Sequence, residues 1–373
     1  MKIVITGGHH SSAVPFIHKI QKEHPDIQLL WVGHIHSLKG DSNESLEYKE
    51  IIGLNIPFYE LQAGKIYRTF SFSSFVKIPQ SLFASFRYLR KVKPDLILSF
   101  GGYIAAPVVA VGWVLGIPSI THEQTTVVGY ANKFISLFAS KILISWRDSA
   151  KYFPSRKVVY TGLPLRDSVF NVNSNEFDAG NNLPYILVTA GKSGSTKINK
   201  ALEEALPQLL MFSNVIHQCG DYSVLNDYER LSRTYAKIKN ALTGKYFLRK
   251  FIYENEVGEA FAKAKLVVGR SGAHTIAEIL ALNKPALFIP IPWVSHHEQQ
   301  NNAELAKKEG LAEILLEKDL TGTALLEKVK YMLRNIPLYK VSSATNYKAM
   351  CVGATNLIIN EVLKFERREK QVP

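Results

Sequence analysis

Two α/β domains, each built on a doubly wound parallel sheet, are predicted by three features of this sequence. Short β-rich runs alternate with helical stretches along the whole chain, the order expected when parallel strands are joined by crossover helices. At 373 residues the chain exceeds what one hydrophobic core fills, and 46% apolar residues supply ample material for burial. A glycine turn follows the first strand of each half, at residues 7–8 and again at 191–194.

The elements follow in order. "KIVIT", "IQLLWVG", "DLILSF", "SITHE", "KILIS" and "KVVYTG" read as strands of the first half. After "KIVIT" comes "GGHHSSAVPF", where Gly7 and Gly8 permit close approach of a ligand to the backbone. Ser11 or Ser12 is expected to cap a helix whose free amides point back across those glycines. A turn that merely reverses the chain would read the same way. The uncharged stretch 103–120 raises the question of a membrane span, but Pro107 can start a helix and Gly116 and Pro118 can stop it. About ten helical residues remain, short of the roughly 20 needed to cross a bilayer, so a buried helix between two strands is expected. Residues 170–184, "FNVNSNEFDAGNNLP", read as a linker or an early loop of the second domain. "YILVTA", "NVIHQC", "KYFLRKF", "KLVVGRS", "PALFIP" and "LAEILL" supply the second sheet. Domains of 1–163 and 164–345 are expected, with a final helix from about residue 346 to 373 returning to the first. Sheets of this kind bind ligands at the carboxyl ends of their strands, which here would flank a cleft.

Composition narrows the function. The formal charge of +13 and pI near 9.4 call for an anionic partner. Cys219 and Cys351 stand alone, without a CxxC pair, which argues against a disulfide framework or zinc knuckle and suits a reducing cytosol. "MKIVITGG" lacks the pattern of a signal peptide, so export is not expected. Residues 65–91 are dense in phenylalanine, lysine and arginine and contain no acid. A buried helix with a basic solvent face accounts for part of that; an interfacial patch on an anionic membrane accounts for more. Nucleic acid is not expected, because no recognition motif accompanies the charge.

Residues 190–199, "AGKSGSTKIN", set Gly191 and Gly194 around Lys192 and Ser193, where a lysine and backbone amides can meet a diphosphate. The loop is neither GxxxxGK[ST] nor GxGxxG, which turns the expectation away from ATP and nicotinamide cofactors. Residues 269–303 are the richest stretch. A strand ends at "GRSG", a helix is expected to begin near Thr275, and a polar loop is expected to carry His296, His297, Glu298, Gln299 and Gln300. Glu278 lies three residues after Thr275, so it either closes a capping box or presents a carboxylate to the hydroxyls of a ribose. Gln299 and Gln300 offer paired donors and acceptors for a sugar. The adjacent histidines lack a carboxylate cluster and read as a solvated loop, not a metal site.

These blocks, with "GGYIAAPVVAVGWVLGIPSITHEQ" at 101–124 and "GLPLR" at 162–166, resemble the MurG family of GT-B glycosyltransferases from Lys2 to about Gly310. The resemblance implies a donor site in the second domain for UDP-N-acetylglucosamine, without a cofactor or metal. It places the uracil near Ile252 and the diphosphate near Lys192, Ser193 and the amides around Gly272, Ala273, His274 and Thr275. The ribose falls at Glu278, the sugar at Gln299 and Gln300, with Arg166, Ser11 and Thr125 completing the donor set. Gly7, Gly8, Ser12, Tyr103 and Asn132 would face a polyprenyl-diphosphate-linked muramoyl acceptor. The family's opening loop is GGTGGH; its histidine falls on Ser12, and the middle positions are His9, His10 and Ser11. Similarly, Thr125 and His274 replace a family asparagine and leucine. An inverting transfer needs a base for the acceptor hydroxyl, for which His10 is the first candidate, with His9 and Glu123 as alternates. The expected place of action is the cytoplasmic face of the cell membrane, held peripherally. A transferase acting on another glycolipid, a UDP-GlcNAc 2-epimerase and a non-catalytic membrane-recruiting subunit are the competing readings.

Overall fold

The computed structural model describes residues 1–8, 10–36, 44–63, 72–191, 194–221, 226–294, 297–343 and 345–369. His9, Lys192, Ser193, His296 and residues 64–71 of the basic aromatic segment lie outside the described residues. The chain divides into two compact units, Met1–Leu165 with Met350–Pro373, and Arg166–Ala349.

In the first unit the strands are β1 (Lys2–Thr6), β2 (Gln28–Gly33), β3 (Phe58–Glu60), β4 (Leu96–Ser99), β5 (Ser119–Glu123), β6 (Lys141–Ile144) and β7 (Val158–Tyr160). They form one parallel sheet in the order β3-β2-β1-β4-β5-β6-β7, with Ile3 in register with both Leu29 and Leu96. Helices α1 (His10–Glu23), α2 (Leu46–Gly53), α3 (Phe72–Val92), α4 (Ala105–Val114) and α5 (Tyr130–Phe138) connect them. Alternate residues of β1 serve opposite faces, as a pleated strand requires. Ile3 and Ile5 pack with Phe16, Ile17 and Ile20 of α1, while Val4 packs with Val108, Val109 and Ile135. Strand β3 is absent from the strand runs of the sequence because it is a three-residue edge strand with no apolar run to announce it.

Strands β8 (Tyr185–Thr189), β9 (Asn214–Gln218), β10 (Tyr246–Arg249), β11 (Ala264–Gly269), β12 (Ala286–Phe288) and β13 (Ala312–Ile314) build the parallel sheet of the second unit, in the order β10-β9-β8-β11-β12-β13. Its helices are α6 (Thr196–Leu209), α7 (Asp227–Ile238), α8 (Glu254–Lys263), α9 (Ala273–Leu282), α10 (Glu298–Lys308) and α11 (Gly322–Arg334). The last helix, α12 (Tyr347–Glu369), buries Ile358, Ile359 and Val362 in the core of the first unit beside Ile3 and Ile5.

The strand order reverses between β1 and β4 in one sheet and between β8 and β11 in the other, and at such a switch point the loops diverge to leave room for a ligand. The glycine turns at 7–8 and 191–194 follow β1 and β8, so both stand at switch points.

One expectation is narrowed and three are corrected. Residues 170–184 are the early loop of the second domain and not the alternative linker: Phe177 is fully buried, and the Glu259 carboxylate accepts from Ser174 Oγ and from the backbone N–H of Glu176 and Phe177. Helix α1 begins at His10, so Ser11 and Ser12 occupy its first turn instead of capping it. Helix α9 begins at Ala273 with Gly272 as its cap, so Thr275 and Glu278 form no capping box. Finally, α10 begins at Glu298, which puts Gln299 and Gln300 on a helix rather than a loop. Helix α4 is ten residues long and buried along most of its length, but its end exposes Trp113 and Val114. No helix among the described residues is long and apolar enough to cross a membrane.

A buried polar chain fixes the start of α6. His217 on β9 bonds through Nδ1 to the Tyr246 hydroxyl (2.6 Å) and through Nε2 to Asn199 Oδ1 (3.0 Å). Asn199 and Thr196 both donate to Asp227 Oδ2. Burial pushes the His217 imidazole down to about 3, so the folded state refuses a proton that the unfolded chain accepts below its ordinary 6.5. Stability is therefore expected to be lost as pH falls from about 6.5 toward 3, by at most about 1.4 kcal/mol per pH unit. Urea midpoints measured across that range check this. His217→Gln should flatten the slope, and an equally steep slope in the variant would assign the acid sensitivity elsewhere.

Candidate active site

In the first unit Gly7, Gly8, Gly101 and Gly102 meet at the switch point. Gly8 N–H donates to Gly101 O at 3.0 Å. A Cβ on Gly7, where φ is +142°, would fall 2.8 Å from Gly101 O. One on Gly101 would fall 2.7 Å from the Asn132 amide. Only bare backbone fits at Gly7 and Gly101, and it brings Gly7, Gly8 and Asn132 together.

Asn132 Nδ2 donates to Glu123 Oε2 (2.8 Å), while Glu123 Oε1 accepts from Thr125 N–H (3.0 Å) and Thr125 Oγ1 (2.8 Å). Burial raises the Glu123 carboxyl above its ordinary range, and these hydrogen bonds oppose that rise. Both of its oxygens are thus engaged in holding Asn132 and Thr125. His10 opens α1, with Nε2 2.9 Å from Glu50 Oε2 on α2. Ser12, two residues on, is fully buried. Tyr103, half-buried, sets its ring 5.5 Å from that of His34. Ser11 and Thr125, expected with the donor residues, belong to this first unit.

The second unit assembles most of the remaining donor-side residues. A Cβ on Gly194 (φ +69°) would fall 1.9 Å from Cys219 O, so this position admits only glycine. Ser195 caps α6 by accepting from Ile198 N–H. Helix α9 starts without a side-chain cap, and the amides of a first helical turn have no intrahelical acceptor. Such a start suits an anion.

Glu278, on the second turn of α9, is partly buried. Desolvation pushes its carboxyl up to about 7, with the Arg166 guanidinium pulling the other way. The start of α10 is docked on the residue before the α9 cap: Ser271 Oγ donates to Gln299 O (2.7 Å), and Asn302 Nδ2 donates to Ser271 O (3.0 Å). Gln299 Oε1 accepts from Ile291 N–H, and among the described residues its amide N–H groups have no partner. Gln300 points elsewhere, donating to the exposed Glu304.

Two side chains that tie these elements together carried no signal of their own in the sequence. Arg270, buried at the end of β11, donates to Ser195 Oγ and Ile289 O and pairs with Glu317, tying the cap of α6 to the start of α9. Gln218 bonds to both Gly191 O and Ile252 N–H.

Two parallel doubly wound units with ligand-ready turns at their switch points make this a GT-B fold. The N-terminal domain of glycosyltransferase family 28 matches residues 5–144 and its C-terminal domain matches residues 185–357. The UDP-N-acetylglucosamine–N-acetylmuramyl-(pentapeptide) pyrophosphoryl-undecaprenol N-acetylglucosamine transferase 2 of Bacillus cereus is 32% identical over 355 residues, 91% of this chain and 94% of the relative. The chain belongs to the MurG family of glycosyltransferases.

Among solved structures, Acinetobacter baumannii MurG superposes with a TM-score of 0.68 at 24% identity, over 97% of this chain and 99% of that one. The UDP-GlcNAc 2-epimerase of Neisseria meningitidis, bound to UDP-GlcNAc, superposes with a TM-score of 0.63 at 15% identity, over 98% and 100%. At those identities the likeness is one of fold.

Proposed function

We propose that this chain is an inverting transferase that moves N-acetylglucosamine from UDP-GlcNAc to an undecaprenyl-diphosphate-linked muramoyl peptide, a step of peptidoglycan synthesis. The observation that carries the proposal is the 32% identity, sustained over 91% of the chain, to a relative named for that reaction. The epimerase, by contrast, shares the fold at 15% identity.

In this reading the α9 amides and the 191–194 loop take the diphosphate, Glu278 the ribose hydroxyls, Ile252 the uracil and Gln299 the sugar. Gly7, Gly8, Tyr103 and Asn132 take the acceptor. The acceptor hydroxyl bonds to the anomeric carbon as the bond from that carbon to the diphosphate oxygen breaks. His10 takes the hydroxyl proton, and UDP leaves with the bonding pair, its charge met by helix amides and Arg166. Calorimetry with UDP tests the donor half: binding that survives Gln300→Ala but falls with Gln299→Ala when UDP-GlcNAc replaces UDP supports it. Equal affinities for both ligands in all three proteins would remove Gln299 from the sugar site.

We propose further that the protein acts on the inner face of the cell membrane, held there peripherally. Supporting this, the neighbouring helices α3, α4 and α5 expose large apolar residues: Phe83 is 64% exposed, Trp113 60%, Tyr130 75% and Leu137 68%. Trp113, Phe134 and Phe138 are in ring contact, and the Lys157 ammonium sits at the end of α5, donating to the Ser136 and Leu137 carbonyls. Arg87, Arg90 and Lys91 lie on α3. Exposed aromatics among cations suit an anionic lipid surface.

Flotation with anionic vesicles should weaken several-fold between low and high salt, since exposed charges are screened over about 8 Å at physiological ionic strength. It should weaken again in a Trp113→Glu, Leu137→Glu double variant. Equal binding to neutral and anionic vesicles would refute the electrostatic part of the proposal.

A further inference from the structure

We infer that Gln218 is a positioning residue of the donor site, tying Gly191, which follows β8, to Ile252, which follows β10. The inference rests on the donor reading above. Gln218 is the last residue of β9, the strand between β8 and β10, and is 9% exposed. Its Nε2 donates to Gly191 O and its Oε1 accepts from Ile252 N–H, each at 2.9 Å.

A primary amide carries donor and acceptor on opposite sides, so this one residue answers a carbonyl and an N–H at once. The orientation is fixed, because the flipped amide would set oxygen against oxygen and N–H against N–H. Packing does not hold Gly191: its φ is +78°, and an added Cβ would meet nothing within 4 Å. Its carbonyl is held by Gln218 and by Gly194 N–H at 3.1 Å. Gly191, the first residue of the loop proposed for the diphosphate, and the residue proposed for the uracil are therefore registered to each other through a single side chain. Losing it frees the spacing between two ends of one ligand, takes the acceptor from the part-buried Ile252 N–H, and leaves the Gly191 carbonyl with Gly194 N–H alone.

Gln218→Leu and Gln218→Glu test this in the full-length protein, with UDP as the calorimetric probe and turnover measured alongside. Gln218→Leu should weaken UDP and raise the donor KM by about 10- to 100-fold. The acceptor KM and the kcat at saturating donor should stay within a few-fold of wild type. In Gln218→Glu the ionised carboxylate still accepts from Ile252 N–H but confronts the Gly191 carbonyl; once protonated it can donate there. Its UDP affinity, taken as a ratio to wild type at each pH, should therefore recover as pH is lowered from 8 toward 5.

A purely structural role predicts otherwise: a lowered melting temperature, a parallel loss in kcat and acceptor KM, and no pH-dependent recovery. Wild-type UDP affinity in a folded Gln218→Leu overturns the inference alone. Failure of the wild type to bind UDP overturns it together with the donor reading.

Discussion

Replacing His10 with alanine is expected to cut turnover by about 10² to 10⁴-fold while leaving UDP affinity nearly unchanged. The expectation combines position with chemistry. His10 is the first residue of α1, two residues after the glycines that admit backbone approach, and an imidazole is suited to proton transfer near neutral pH. Its Nε2 lies 2.9 Å from Glu50 Oε2, which orients the ring as a carboxylate orients a catalytic histidine. The family's own histidine position is occupied here by Ser12, whose hydroxyl is no base near neutral pH and whose side chain is fully buried. Full turnover in both His10→Ala and His9→Ala would move the base out of this loop. Glu123 would then be the next residue to replace, although both of its oxygens already accept hydrogen bonds from Thr125 and Asn132.

Glu278→Ala is expected to weaken UDP binding by about 1 to 3 kcal/mol, the range for lost hydrogen bonds to a charged group. The structure adds a pH dependence. In the free protein the carboxyl is raised to about 7, chiefly by desolvation, so near neutrality a substantial fraction is protonated. Ribose hydroxyls donate to the ionised form, so a ligand bound there favours ionisation and expels a proton. Affinity should fall as pH drops below about 7, and binding near pH 7 should release protons, measurable as a binding enthalpy that changes with buffer ionisation heat. Glu278→Gln should lose that part of the dependence, leaving only what UDP's own phosphates contribute. An unchanged affinity and an unchanged proton release in a folded Glu278→Ala protein would exclude the carboxylate from the donor site.

The glycine turns and the two sheets were legible because they depend on local rules. Short continuous apolar runs announce buried parallel strands, and close backbone approach leaves few residues other than glycine. Gly7 and Gly194 show this directly, since a Cβ on either would strike backbone atoms. Helix starts were less legible. Ser11 and Thr275 have the right side chains for caps, but α1 and α9 begin at His10 and Ala273, the latter behind the extended backbone of Gly272.

Gln218 and Arg270 were invisible for a different reason. Each acts on segments distant in sequence, Gln218 on residues 27 and 34 positions away, and only the strand order brings those segments together. The buried helix expected of α4 is there, but a run uniformly rich in valine and alanine gives no sign that Trp113 and Val114 at its end face solvent.

The most direct test supplies the purified protein with UDP-GlcNAc and undecaprenyl-diphosphate-linked N-acetylmuramoyl pentapeptide in mixed micelles or vesicles, and analyses the lipid and nucleotide products by mass and by NMR of the new linkage. The account predicts a disaccharide-bearing lipid with inverted anomeric configuration, formed in step with UDP. Conversion of UDP-GlcNAc to its 2-epimer without glycosylated lipid, or UDP-GlcNAc binding with no transfer to this lipid, would contradict it.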